Sequence, residues 1–115
     1  MTTAETLRNR QCTPQRDALP ASKVTELLSL LDDWQQDGAS IVRTFSFTDY
    51  VATLAFVNAI APMIHEQDHH PELTVTYNRC VARYNTHSVN DGKGGLSYND
   101  FICAARIDAI YRQTA

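Results

Sequence analysis

The stretch from Thr48 to Pro71 constrains this chain most, because its pattern is helical and its stop is written into it. Tyr50, Val51, Leu54, Val57, Ala61 and Ile64 recur at helical spacing. This predicts a helix over about 48–69 with that stripe on the core. Phe56, Ala59, Ile60 and Met63 add apolar surface on other faces. A helix that is apolar most of the way round is buried on two sides. The chain has 115 residues, enough for one domain with a modest core. The expected second cover for this helix is therefore another copy of the chain. Pro62 lies inside the helix and is expected to kink or weaken it. Pro71 is expected to end it and to push His70 toward extended geometry.

The rest of the chain arranges itself around that helix. Residues 1–19 are polar and unpatterned, and Cys12-Thr13-Pro14 interrupts any helix. They read as a flexible N-terminal arm ahead of one domain over 20–115. Ser22 is the expected N-cap of a helix over about 23–32, with Val24, Leu27, Leu28 and Leu31 as its stripe. Trp34 reads as an anchor under a sheet. Asp37-Gly38 is a turn signal joining a short strand near 34–36 to a longer one at 40–47. In the longer strand Ile41, Phe45 and Phe47 alternate with Val42, Thr44 and Ser46, which predicts one buried face. Arg43 shares the parity of the phenylalanines, so it belongs at the sheet rim or beside an acid.

After Pro71, Leu73, Val75 and Tyr77 alternate as a strand. Asn78-Arg79 fits a two-residue turn into a return strand over 80–86. There Cys80, Ala82 and Tyr84 oppose Val81, Arg83 and Asn85. Asp91-Gly92-Lys93-Gly94-Gly95 is a loop, and it lacks the G-x-x-x-x-G-K-[ST] pattern of a phosphate loop. Ser97 followed by Asp100 is a capping box with an aspartate, opening a last helix. Asp100 then reads as a helix-start acid rather than a group acting directly in chemistry. The element order is α-β-β-α-β-β-α. It predicts an α+β fold, a four-stranded antiparallel sheet with helices packed on one face.

Composition excludes several classes of function. The formal net charge is −3, with 13 acidic and 10 basic side chains. That argues against nucleic acid, whose phosphates need a basic face. No apolar run is long enough to span a membrane, and no secretory pattern opens the chain. Cys12, Cys80 and Cys103 are odd in number and form no C-x-x-C pair. They read as reduced thiols of a cytoplasmic protein, with Cys80 and Cys103 as core filler.

Chemistry concentrates at the end of the long helix. His65, His69 and His70 fall within six residues, in a chain with four histidines. On a helix His65 and His69 share one face. His70, next to Pro71, points elsewhere, so His69 and His70 reach one bound molecule from two directions. A hairpin downstream returns His87 toward the same pocket. Taken literally, His65-Glu66-Gln67-Asp68-His69 matches the H-E-x-x-H pattern of zinc hydrolases. Pro71 ends that helix too early, and no H-x-x-G-x-x-H continuation supplies a third ligand.

The longer pattern is more specific. His65, three residues, His69-His70-Pro71, five residues, Tyr77, nine residues, His87, twelve residues and Asp100 closely resemble the signature of the pterin-4a-carbinolamine dehydratases. Arg43-Thr44-Phe45-Ser46-Phe47, Ala55-Phe56-Val57-Asn58 and Gly95-Leu96-Ser97 also look like family stretches, and the resemblance spans roughly residues 20 to 112. His65 stands where the family often has Glu. The resemblance implies dehydration of 4a-hydroxytetrahydropterins to quinonoid dihydropterins, which recycles the pterin cofactor of aromatic amino-acid hydroxylases. It implies that His69, His70 and His87 are the catalytic or binding histidines. The pterin is then the substrate, with no metal and no further cofactor. Imidazole suits this chemistry, since it exchanges protons near neutral pH. The resemblance also implies homodimers or homotetramers, assigned here to the 48–69 helix, and a functional link to a phenylalanine hydroxylase. Some relatives serve instead as non-catalytic assembly or interaction factors, including a Rubisco assembly factor. The full histidine set favours the enzyme.

Overall fold

The structure, a computed structural model, describes residues 2–114. Its elements in order are α1 (Ala4–Arg8), α2 (Ala21–Leu28), β1 (Gln35–Asp37), β2 (Ser40–Ser46), α3 (Tyr50–Gln67), β3 (Glu72–Val75), β4 (Arg79–Tyr84) and α4 (Tyr98–Thr114). The four strands form one antiparallel sheet in the order β1-β2-β4-β3. The predicted α+β architecture is therefore the observed one, with α1 as an addition.

The alternation in β2 and β4 decides which face is covered. Ile41 pairs with Tyr84, Arg43 with Ala82 and Phe45 with Cys80, while Leu73 pairs with Ala82 and Val75 with Cys80. Paired residues point to one side of a sheet. Ile41, Phe45, Cys80, Ala82 and Tyr84 are fully buried there. Helix α4 supplies the other half of the core through Phe101, Ile102, Ala104, Ala105 and Ile107. The turn between β3 and β4 differs by one residue from expectation. Thr76 donates its N–H to Arg79 O at 2.9 Å, so Tyr77-Asn78 form its tip.

Helix α3 turns a different face inward from the one expected. Thr53, Phe56, Ile60, Met63 and Gln67 are buried. Tyr50, Val51 and Leu54, the start of the expected stripe, are 46%, 77% and 39% exposed. Periodicity favoured the longer apolar stripe, but the face actually buried carries large apolar residues too, between Thr53 and Gln67. Phe56 decides it by filling the space between Phe45 and Phe47, with ring centroids 4.8 and 5.1 Å away. The helix runs unbroken through Pro62. Asp49 caps its start by accepting from Ala52 N at 2.8 Å.

Two further expectations change. Helix α2 spans Ala21–Leu28 with Pro20 at the N-cap and no side-chain cap, so Ser22 lies inside it. Pro has its φ preset and lacks the N–H that a helix start leaves unbonded, which makes it an adequate entry. The arm also carries structure. Thr3 and Thr6 form a reciprocal cap on α1, and Leu7 of α1 is fully buried. Arg43 meets an acid, as its parity required. Its Nη1 lies 2.8 Å from Asp108 Oδ1, an atom that also accepts from Trp34 Nε1 at 2.8 Å.

Candidate active site

The site begins where α3 stops. Asp68 has φ 50° and ψ 42°, the left-handed region, and caps the helix at Gln67. Asp adopts this conformation more readily than most residues. Asp68, rather than Pro71, is thus the stop. It reverses the chain and separates the first two histidines. His65 stays on the helix and is exposed, while His69 lies beyond the reversal and is mostly buried. They do not share a helical face, the geometry that an H-E-x-x-H site needs.

His69 is held on three sides. Its Nε2 lies 2.6 Å from Asp100 Oδ1. Its ring stacks on Tyr84, with centroids 5.1 Å apart and planes 12° from parallel. Tyr84 also donates its hydroxyl to the His69 carbonyl at 3.1 Å. Burial pushes the Tyr84 hydroxyl far above its ordinary pKa, so it stays a donor.

Asp100 is fully buried in the first turn of α4. A buried carboxylate is costly unless its lone pairs are used. Here Oδ2 accepts from Ser97 N at 2.9 Å and from Thr86 Oγ1 at 2.8 Å. Ser97 Oγ accepts in turn from Asn99 N at 3.2 Å, one residue short of the reciprocal bond that a full capping box makes to Asp100 N. Thr86 is fixed beside Ser97, 2.7 Å between hydroxyls, by an isolated bridge to Gly95. Asp100 is therefore the helix-start acid expected, and its second oxygen grips His69. A carboxylate only accepts, so against an ionised Asp100 the Nε2 position is the one that carries a proton, and Nδ1 is the ring nitrogen left without this partner.

His69, His70 and His87 line one cavity of about 580 Å³. That volume lies in the range of about 300–1,000 Å³ usual for small-molecule sites. His70 follows the reversal at Asp68, and His87 follows Thr86, beyond the end of β4. The lining on that side comes from residues 85–88, and the glycines of the 91–95 loop take no part. His65 does not line the cavity.

The remaining wall comes from the arm, which sequence reasoning did not place. Residues 12–15 line the same cavity as the histidines. Cys12 N donates to Gln67 Oε1 at 2.8 Å, and Gln67 Nε2 donates to Gln11 Oε1 at 2.9 Å. Thr13 and Asn99 exchange two bonds, Thr13 N to Oδ1 at 3.1 Å and Nδ2 to Thr13 O at 2.8 Å. Ser88 Oγ donates to Gln15 O at 2.7 Å, and Asn90 N to Arg16 O at 3.2 Å. The arm is a strap laid across the site and tied mainly through its backbone. Backbone ties leave no residue-type pattern to find. The buried amides Gln67 and Asn99 are the signal on the other side.

Comparison with known proteins identifies the family. The family profile described as Pterin 4 alpha carbinolamine dehydratase matches residues 17–110. A relative from Bdellovibrio bacteriovorus, provisionally named a pterin-4-alpha-carbinolamine dehydratase, is 51% identical over 96% of this chain and 91% of its own. A Nitrosospira multiformis relative with the same provisional name is 46% identical over 96% and 97%. Among solved structures, a transcriptional coactivator/pterin dehydratase from Brucella melitensis superposes with a TM-score of 0.75 and 32% identity. That match covers 83% of this chain and 99% of the other. A pterin dehydratase-like RuBisCO assembly factor of the alpha-carboxysome shares the fold, with a TM-score of 0.55 and 23% identity.

Proposed function

This chain belongs to the pterin 4 alpha carbinolamine dehydratase family, and from that premise we propose that it dehydrates 4a-hydroxytetrahydropterins to quinonoid dihydropterins by histidine acid–base catalysis. The observation that carries the reading is the meeting of His69, His70 and His87 in one cavity, with Asp100 behind His69. In the reaction the C4a hydroxyl leaves as water after gaining a proton. A ring N–H proton is lost, and the electron pair of that bond forms the new C=N bond. A positioned acid or base speeds such a step by about 10²–10⁴-fold.

His69 is the base in this proposal. When its ring takes the substrate proton, the buried Asp100 carboxylate faces the resulting imidazolium at hydrogen-bond distance. His70 and His87, on the exposed side, protonate the leaving hydroxyl and orient the flat ring. The pterin is the substrate, and the step transfers no electrons between molecules. In the cell the reaction returns pterin to a phenylalanine hydroxylase system in the cytoplasm. The exposed start of α3, Tyr50, Val51 and Leu54, is the surface we assign to a homodimer or homotetramer. The assembly-factor reading rests on a neighbour that shares the fold alone, and no feature of this cavity favours it.

Binding tests the reading apart from turnover. A stable dihydropterin titrated into labelled protein is expected to shift the ring resonances of His69, His70 and His87 together and to leave His65 in place. Saturable shifts at His65 alone, or none at the three, contradict it.

A further inference from the structure

One thiol of the cavity lining and a second, buried one beside it are left unused by acid–base chemistry. Cys12 sits on the strap and lines the cavity. Cys103 sits on the buried face of α4, with no exposure. Their sulfurs are 3.5 Å apart. The two thiols differ in their surroundings. A hydrogen bond from Cys103, aided by His69 and Arg106, holds the Cys12 thiol below its ordinary range against burial and the Asp100 charge. The bond to Cys12, together with burial, pushes Cys103 far up. The more readily ionised thiol thus belongs to the residue that lines the cavity, and the other is a buried thiol beside it.

We propose that Cys12 is a thiol-modification site inside the cavity, and that Cys103 resolves the adduct formed there. The co-reactant is a small-molecule disulfide. The Cys12 thiolate attacks one of its sulfurs, the external S–S bond breaks, and one thiolate leaves and takes a proton from water. Cys103 then attacks the Cys12 sulfur of the mixed disulfide, giving its own proton to the second departing thiolate. The two protein thiols are oxidised to one disulfide, and the external disulfide is reduced to two thiols. The sulfurs must close from 3.5 Å to about 2 Å, a movement taken up by the strap. The mixed disulfide fills the space between the strap and His69. The internal disulfide clears it again. Cys80 takes no part, since it is buried in β4 and burial pushes its thiol up. The site stands on the cavity and the sulfur pair, whatever ligand the cavity binds.

The test treats the full chain with excess bis(2-hydroxyethyl) disulfide and reads intact mass and peptide maps. Wild type is expected to lose the mass of two hydrogen atoms and to yield a Cys12–Cys103 linked peptide. Cys103→Ser, and Cys103→Ala if serine is not tolerated in the core, should keep one hydroxyethylthio group on Cys12. Cys12→Ser should gain neither product. Dihydropterin affinity should fall by about tenfold or more in the Cys103→Ser adduct and be kept in oxidised wild type. Unmodified wild type, first reaction at Cys80 or Cys103, or an adduct persisting on Cys12 of wild type overturns the proposal. If the untreated protein binds no dihydropterin, the pterin reading fails while the mass result still decides this one.

Discussion

Asp100 serves two structures with two oxygens, one closing the helix start and the other gripping His69. Asp100→Asn keeps the shape but places a donor or a weaker acceptor against Nε2. We expect the dehydration rate to fall by about 10²-fold or more, while the fold survives, as circular dichroism would show. An unchanged rate would separate Asp100 from the chemistry. His65→Ala should cost less than about 0.5 kcal/mol in stability, being exposed, and leave the rate alone. Asp108 offers a pH test at a distance from the cavity. Burial pushes its carboxyl up to about 6, against the opposing pull of Trp34 and Arg43. An unfolded Asp titrates near 3.9. Between about pH 4 and 6 the folded state therefore binds more protons at this group than the unfolded state. Its contribution to stability falls as pH rises through that window. The stability of wild type relative to Asp108→Asn should thus be greater at pH 4 than at pH 7 in denaturant melts, and the reverse order would contradict the raised value.

At the scale of elements, the two faces of α3 make opposite predictions. Phe56→Ala opens a cavity between Phe45 and Phe47 and should cost about 3–5 kcal/mol. Val51→Ala, on the exposed stripe, should cost under about 0.5 kcal/mol in the isolated subunit. Equal losses would mean that the face is misassigned. The sequence showed this helix but not its orientation, since Tyr50, Val51 and Leu54 are as apolar as Phe56, Ile60 and Met63. It showed the strands, because alternation in β2 and β4 has one polar and one apolar side. It showed the helix start at Ser97 and the acid that accepts from its N–H, because a serine followed three residues on by an acid is written in residue types. Asp68 was not legible as the helix stop, since its left-handed φ depends on the chain reversing there. The strap was not legible either, since carbonyls and N–H groups of residues 10–19 make its ties. The three histidines were legible as a set only through their spacing. The cavity that unites them takes part of its lining from the arm. Asn99→Ala removes both bonds to Thr13 and strands two backbone groups, at about 1–3 kcal/mol each. Limited proteolysis should then cut within residues 10–19 faster than in wild type, and an unchanged rate would show that the strap is held elsewhere.

The whole molecule is small, with a radius of gyration of 13.6 Å, and its one sheet is covered on one face. Tyr50, Val51, Leu54, Val75 and Tyr77 remain exposed on the described surface. We expect self-association through the α3 part of this surface. Leu54→Glu should lower the sedimenting mass at equal concentration without unfolding the subunit, and an unchanged mass would exclude this face. Among the described residues no helix is long and apolar enough to cross a membrane. The central claim, however, belongs to the cavity. It is tested most directly by the dehydration rate of freshly generated 4a-hydroxytetrahydropterin, followed by ultraviolet absorbance, with wild type beside His70→Ala. The account predicts clear acceleration by wild type over the spontaneous rate and loss of most of it in the variant. A folded wild type that leaves the spontaneous rate unchanged would contradict it.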